Sequence, residues 1–345
     1  MDLEKFSQRQ PAAAQAETGA GAKKRKQMLS ELQKYMRADA PFSVKYKKQP
    51  MPYREKKGLW FEVRLSDASG ELTARYWGGA DDTKTNKIYE SFSNGDVVWV
   101  TGTARDADGR MEISIDEKVG DSVRKCLPDE YSIDDLVPSL SGDEVNKYVS
   151  ELNRIIHTVK NMEIQKVLQC FFADPSFLEQ FKWCPGAISY HHGYRGGLIE
   201  HTLHVVRMCQ SVCEIYPGLD RDLTIAGALL HDIGKTVEYT VGTNIRESEE
   251  GMLRGHVVIG EEMFRSRCRD VDPKIRLKLS HIILSHHGTT EYGSPKVPQF
   301  PEAAAIYFAD HCDAVTDQML GIKEKARTED AWIWSKNLER NIYLK

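Results

Sequence analysis

The spacing of apolar residues changes once along this chain of 345 residues, and that change limits what it can fold into. Between residues 42 and 118 the period is two. Leu59, Phe61, Val63 and Leu65 alternate with Trp60, Glu62 and Arg64, and Leu72, Ala74 and Tyr76 alternate with Thr73, Arg75 and Trp77. Alternation sends successive side chains to opposite faces, so both runs read as half-buried strands, turned on each other by Asp67-Ala68-Ser69-Gly70. Residues 42–48 supply a strand before them. Residues 97–102 and 111–115, joined through Asp106-Ala107-Asp108-Gly109, supply two after. The longest connection, helical or irregular over 82–92, follows the third strand, which is the pattern of a five-stranded OB barrel. From Glu144 the period lengthens: Val145, Val149, Leu152, Ile155, Ile156 and Val159 make one helical stripe. Further helices are expected over 164–172, 176–183, 198–213, 223–232, 257–268, 273–286 and 301–319. The reading is a multidomain protein with an N-terminal all-β OB-fold barrel and an all-α helical bundle after it. Residues 1–38 form a flexible basic tail and short helix, 39–120 the barrel, 121–143 a linker, and 144–345 the bundle.

The bundle holds ten of the eleven histidines between His191 and His311. A lone histidine is usually a surface residue or a hydrogen-bonded core residue, but ten together with Asp232 and Asp310 form a ligand set. Imidazole and carboxylate suit divalent Mn, Fe, Ni or Zn, and no CxxC pair accompanies them as in a structural zinc knuckle. The sharpest piece is Leu229-Leu230-His231-Asp232-Ile233-Gly234-Lys235. Adjacent side chains at a helix end point about 100° apart, so His231 and Asp232 approach one ion from two directions, and the carboxylate keeps an oxygen for another.

His231-Asp232, with distant histidines and a distant Asp310, resembles the HD superfamily of metal-dependent phosphohydrolases. The likeness extends through residues 191–202, Gly255-His256, Leu284-Ser285-His286-His287-Gly288, residues 291–296 and Asp310-His311-Cys312-Asp313-Ala314. In that wider set the chain resembles the YhaM-type 3′-to-5′ exoribonucleases, which join an OB-fold to an HD domain. The resemblance implies that His201, His231, Asp232 and Asp310 surround one ion, that Asp232 bridges, and that His256, His286 and His287 hold a second. Mn is the first expectation, with Fe, Ni, Co, Mg or Zn as alternatives. Two such ions activate water and neutralise the phosphoryl oxygens. Lys235 is placed to offer positive charge to the scissile phosphate, and Asp313, one turn after Asp310, to orient a ligand or water. His191, His192 and Arg195 stand among Gly193, Gly196 and Gly197 as candidates for holding the substrate end.

Net charge is −4, unusual for a protein that only coats nucleic acid, but between Lys45 and Arg64 seven basic residues face two acidic ones, with Tyr46, Tyr53 and Trp60 interleaved. OB-folds hold single strands by stacking bases on exposed aromatics and tracking phosphates with cations. Trp60 and Trp77, opposite their strands' aliphatic stripes, are the preferred platform, with Arg64 and Arg75 beside them; Trp99 fits a domain contact equally well. Single-stranded RNA is the expected partner and single-stranded DNA a further one, while self-association stays open. Seven cysteines at irregular spacing do not form a disulfide framework. The first ten residues carry Asp2, Glu4, Lys5 and Arg9, and no run approaches the roughly eighteen apolar residues of a membrane span, so a cytoplasmic protein is expected. Two other readings compete: a phosphohydrolase of small or cyclic nucleotides with a regulatory barrel, and a non-catalytic RNA-binding protein with a structural metal.

Overall fold

The computed structural model describes residues 27–345 apart from 108, 189–191 and 327. The basic run at 23–26 and His191 therefore lie outside the described residues. A 3-10 turn, Leu29–Glu31, stands where the sequence suggests a short helix and leads into β1 (Arg37–Lys47). The barrel continues through β2 (Met51–Pro52), β3 (Leu59–Asp67), β4 (Gly70–Trp77), α1 (Asp82–Glu90), β5 (Val97–Ala107) and β6 (Arg110–Asp116). Strand order β1-β3-β4-β6-β5, with β5 pairing back onto β1, closes the sheet, and only β4 and β6 run parallel. The alternation read from the sequence is what fills it: Phe42, Val44, Phe61, Val63, Leu65, Ala74, Tyr76, Val98, Val100, Ile113 and Ile115 are buried inside. Closure satisfies both edges of β1, so no backbone row is left open there.

Residues 122–125, read as linker, form β7 (Ser122–Lys125) on the outer edge of β5. The rest of the connection packs too. Leu136 and Val137 are buried with Val97, Cys126 and Ile245, and Trp99, Tyr131, Ile188 and Val241 lie against them. This apolar seam joins barrel, connection and helical domain. Trp99 belongs to it, its indole N–H donating to Asp39 at 2.7 Å. The Thr243 hydroxyl donates to the Gly95 carbonyl across the same boundary.

The helical domain runs α2 (Gly142–His157), α3 (Met162–Phe172), α4 (Pro175–Trp183), α5 (Gly197–Ile215), α6 (Arg221–Leu230), α7 (Lys235–Glu238), α8 (Glu249–Arg267), α9 (Pro273–Ser285) and α10 (Pro301–Lys325). Two small hairpins interrupt the helices: β8 (Tyr239–Val241) with β9 (Ile245–Glu247), and β10 (Trp332–Ser335) with β11 (Arg340–Tyr343). Helix starts follow local chemistry. Ser141 and Glu144 form a reciprocal cap on α2, Asp220 caps α6, and Asp272 caps α9 ahead of Pro273. Helix α6 is buried on every side from Leu223 to Leu230, as a helix at the centre of a bundle must be. Its C-terminal end delivers His231 and Asp232 to the middle of the domain. Among the described residues no helix is long and apolar enough to cross a membrane.

Candidate metal centre

Five helices bring their ends or inner faces to one point. His231 ends α6 and His286 ends α9, and the two are built alike: each Nδ1–H donates to the carbonyl three residues back, Ala228 at 2.7 Å and Ile283 at 2.8 Å. Each imidazole thereby caps an orphan carbonyl of its own helix. A carbonyl can only accept, so Nδ1 carries the proton and Nε2 faces inward. His201, from α5, has Nδ1 2.7 Å from Asp313, and His256, from α8, has Nδ1 2.9 Å from Glu238. Four imidazoles thus have the outer nitrogen occupied and the inner one aimed at the same space, the arrangement by which outer partners orient metal-binding histidines.

Asp232 sits between two groups of these nitrogens. Its Oδ2 is 3.5 Å from His201 Nε2 and 3.4 Å from His231 Nε2; its Oδ1 is 3.5 Å from both His256 Nε2 and His286 Nε2. Asp310, from α10, completes the first group at 3.3 Å from His201, and His287 completes the second, its Nε2 3.1 Å from that of His256. His201, His231 and Asp310 form one compact set of ligand atoms; His256, His286 and His287 form another.

These residues fit a divalent cation on grounds internal to the molecule. Asp232 Oδ1 and His286 Nε2 are buried and have no hydrogen-bond partner, an expensive state for polar atoms unless a cation satisfies them. Burial lowers the pKa of His286, and burial together with His286 and His256 brings that of His287 down to about 3, so both present lone pairs. Burial pushes Asp232 up, but Lys235, His231 and His201 overcome it and hold the carboxylate charged. The Lys235 Nζ lies 2.6 Å from Asp232 Oδ2.

Backbone approach makes the cluster possible. The turn after Asp232 packs so closely on α8 that a Cβ on Gly234 would lie 2.0 Å from the His256 carbonyl oxygen. Backbone cannot yield as a side chain can, so Gly234→Ala is expected to destabilise the protein by about 1–3 kcal/mol, read as a lower urea midpoint. A midpoint equal to wild type would show that the two segments separate freely.

The other substrate and support residues fall differently. His192 is buried rather than presented to substrate: Nε2 is 2.8 Å from Asp313 Oδ2, Nδ1 is 3.3 Å from Glu200, and its backbone N–H donates to Asp317. Arg195 is turned away from the cluster, 2.6 Å from Asp134 and stacked on Trp183. Asp313 receives His192, His201 and His204 together, so His204, indistinguishable from a surface residue by spacing, belongs to this support. Glu200, Glu238 and Tyr194 receive no role from residue type and spacing, yet the fold brings them into the support of the cluster. Glu200 accepts from Tyr148 at 2.6 Å and from Tyr194, and is drawn down to about 2 by His192 and these hydroxyls against its burial. The only sequence signal for Glu200 and Glu238 is a carboxylate near a candidate ligand, which many surface positions share.

On the barrel, Trp60 and Trp77 pair across β3 and β4 and stack with centroids 5.3 Å apart, and Tyr53 stacks on Trp77 at 6.2 Å. Lys56 lies 3.8 Å over the Tyr53 ring. Arg64 is engaged by Glu71 and Thr73, and Arg75 by Glu112 at 2.8 Å and Glu62. Both arginines therefore have carboxylate partners already.

A cavity of about 200 Å³ opens beside the cluster, with Asp232, Lys235, His287, Tyr307, Asp310 and His311 in its wall. A larger hollow of about 940 Å³ between α5 and α10 is lined by Met208, Val212, Ile215 and Phe308 and has none of the cluster's ligands.

A helical bundle presenting His201, the His231-Asp232 pair and Asp310 in this way defines an HD domain, the class of metal-dependent phosphohydrolases, and the HD domain family model matches residues 198–315. The chain is a hydrolase of that class. It is 32% identical over 261 residues to the 3′-5′ exoribonuclease YhaM of Shouchella clausii (strain KSM-K16), covering 74% of this chain and 77% of that protein. With the YhaM of Bacillus subtilis (strain 168) identity is 29% over 260 residues, covering 74% and 79%. The chain belongs to the YhaM 3′-5′ exoribonuclease family. Among solved structures, a Replication Protein A heterotrimer bound to ssDNA aligns at 16% identity over 34% of this chain and 29% of that one, with a TM-score of 0.25, too slight a likeness to bear on function.

Proposed function

We propose that this protein is a cytoplasmic, metal-dependent 3′-to-5′ exonuclease of single-stranded RNA. On this reading the barrel grips the strand and the HD centre cuts it. The observation that carries the reading is the placement of Asp232 between two imidazole groups, one oxygen toward each, with a buried atom of the second group left unsatisfied. His201, His231, Asp232 and Asp310 would hold one ion, and His256, His286 and His287 with Asp232 a second, Mn being the first candidate. Bound there, the ions supply Lewis acidity to the phosphoryl oxygens and lower the pKa of water.

The chain's own residues do the rest. Lys235 lines the cavity while touching Asp232, so its ammonium places positive charge where a phosphate anion enters. Asp313 and Glu238 fix the rings of His201 and His256, and the ring orientation of a ligand sets the geometry of the site.

Trp60 and Trp77 are the proposed strand platform. Stacking on a side chain is worth roughly 1–3 kcal/mol per base, so Trp60→Ala with Trp77→Ala is expected to raise KM for long single strands about five- to a hundredfold. Both tryptophans are half-buried on the face of β3 and β4 opposite the barrel core and are not among the residues of the HD cluster or its cavity, so kcat should change little. Steady-state kinetics on 5′-labelled RNA with added Mn checks this. An unchanged KM would move the barrel to another role and favour hydrolysis of small or cyclic nucleotides. The overall reading is tested with the same labelled strands, RNA and DNA, across divalent metals with a chelator control: a ladder shortening from the 3′ end supports it, and release of the 5′ label as mononucleotide contradicts it.

A further inference from the structure

We propose that Tyr307 and His311 form a seat for the base of the 3′-terminal nucleotide, a binding site for a nucleobase at the mouth of the metal centre. The inference rests on the exonuclease reading, since only an enzyme that consumes ends must place an end.

The first argument is size. Whole-ligand sites run from roughly 300 to 1,000 Å³. The cavity beside Asp232 measures about 200 Å³, enough for a phosphate and sugar but too little for the base as well. A terminal nucleotide whose phosphate reaches Lys235 and Asp232 must leave its base at the rim.

The second argument is what the rim offers. Asp232 and Lys235 are buried deep in the cavity, whereas Tyr307 is half-buried and His311 exposed on the solvent side. The two sit one helical turn apart on α10, on either side of Asp310, so the helix that supplies a candidate ligand also supplies both rings. Their centroids are 6.0 Å apart with planes 37° from parallel. Rings this close already touch, so a base lies across them and is not sandwiched between them.

The third argument is rigidity. The Tyr307 ring lies directly on the backbone of Gly288: a Cβ there, at a φ of +78°, would sit 2.2 Å from Tyr307 Cε2. Gly288 follows His286 and His287 in the chain, so the ring is fixed relative to the turn that carries two candidate ligands. A stacking surface held this way places the scissile phosphate at a constant distance from the base. Every base has a π-face, so the seat accepts any of the four nucleotides and reads only that a base is present.

The test uses full-length protein and 5′-labelled single-stranded RNA that ends either in an ordinary nucleotide or in an abasic one. In wild type the abasic end is expected to raise KM about five- to a hundredfold. Tyr307→Leu, which keeps apolar bulk against Gly288 without the ring, should raise KM for the ordinary strand and bring the abasic-to-ordinary ratio down toward one. Tyr307→Phe should keep the wild-type ratio, and His311→Ala should reduce it. A wild-type ratio near one, or a Tyr307→Leu protein that retains the wild-type ratio, overturns the seat while leaving the exonuclease reading standing. A wild-type protein that gives no ladder from the 3′ end on either strand overturns both.

Discussion

Asp232→Asn is expected to lower turnover on single-stranded RNA by about a thousandfold or more, the scale seen when an electrostatic centre loses its charge. The substitution keeps the shape of the side chain. It removes the negative charge that both imidazole groups face, and it turns the amide N–H donors toward one pair of ring nitrogens, occupying lone pairs that a cation needs. Oδ1, already without a hydrogen-bond partner, cannot be satisfied by rotating the amide, because His256 and His286 stand on one side and His201 and His231 on the other. There is a stability cost as well. Lys235 is buried and its ammonium is stabilised by Asp232 against desolvation, with Asp310 and Glu238 contributing less. Breaking a buried pair costs about 3–5 kcal/mol, and these two remaining carboxylates hold the loss toward the low end. Turnover is therefore compared well below the unfolding midpoint, with circular dichroism confirming helix content. A variant that keeps wild-type turnover after metal stripping and reloading would remove Asp232 from the chemistry.

How far the sequence discloses this centre depends on what each contact requires. The barrel strands are legible because alternation over seven or more residues, as in β3 and β4, leaves no other way to bury Phe61, Val63 and Tyr76. The four-residue β7 and the hairpins of three and four residues are too short for a period to register, and their pairing is set by neighbours distant in sequence. Helix α6 announces itself by the apolar run from Ile225 to Leu230 that ends at His231-Asp232, and the fold buries all of it. Support residues are another matter. Asp313 stands one turn after Asp310 and is found by spacing, but Glu238 meets His256 only because α8 breaks at Gly255 and turns its N–H and ring back on α7. His192 and Arg195 look alike in a glycine-rich loop, yet the fold buries one on Asp313 and sends the other to Asp134. Residue type and spacing identify donors; which donor faces the centre is decided by packing.

Metal removal is expected to abolish hydrolysis and to lower the thermal midpoint together, because the same atoms do both jobs. Without a cation, ring nitrogens at 3.2 Å (His201 and His231) and at 3.1 Å (His256 and His287) confront each other across a buried space. The folded state then buries Asp232 Oδ1 and His286 Nε2 without a hydrogen-bond partner, whereas the unfolded chain hydrates them. A cation that binds only the folded state stabilises it by RT ln(1 + [L]/Kd), about 2.7 kcal/mol at a hundredfold excess over Kd. For a domain of this size each kcal/mol moves the midpoint roughly 2–4 °C, so one site shifts it by about 5–11 °C and two saturated sites by more. Mn titrated into chelator-treated protein, followed by thermal unfolding, should show this rise, and elemental analysis should reach two ions per chain. His256→Ala removes a nitrogen from the second group alone. It should leave one ion and part of the thermal shift, with turnover lost. If His256→Ala still binds two ions, His256 is not a required ligand of the second; if no divalent cation shifts the midpoint of the wild-type protein, neither group is a metal site.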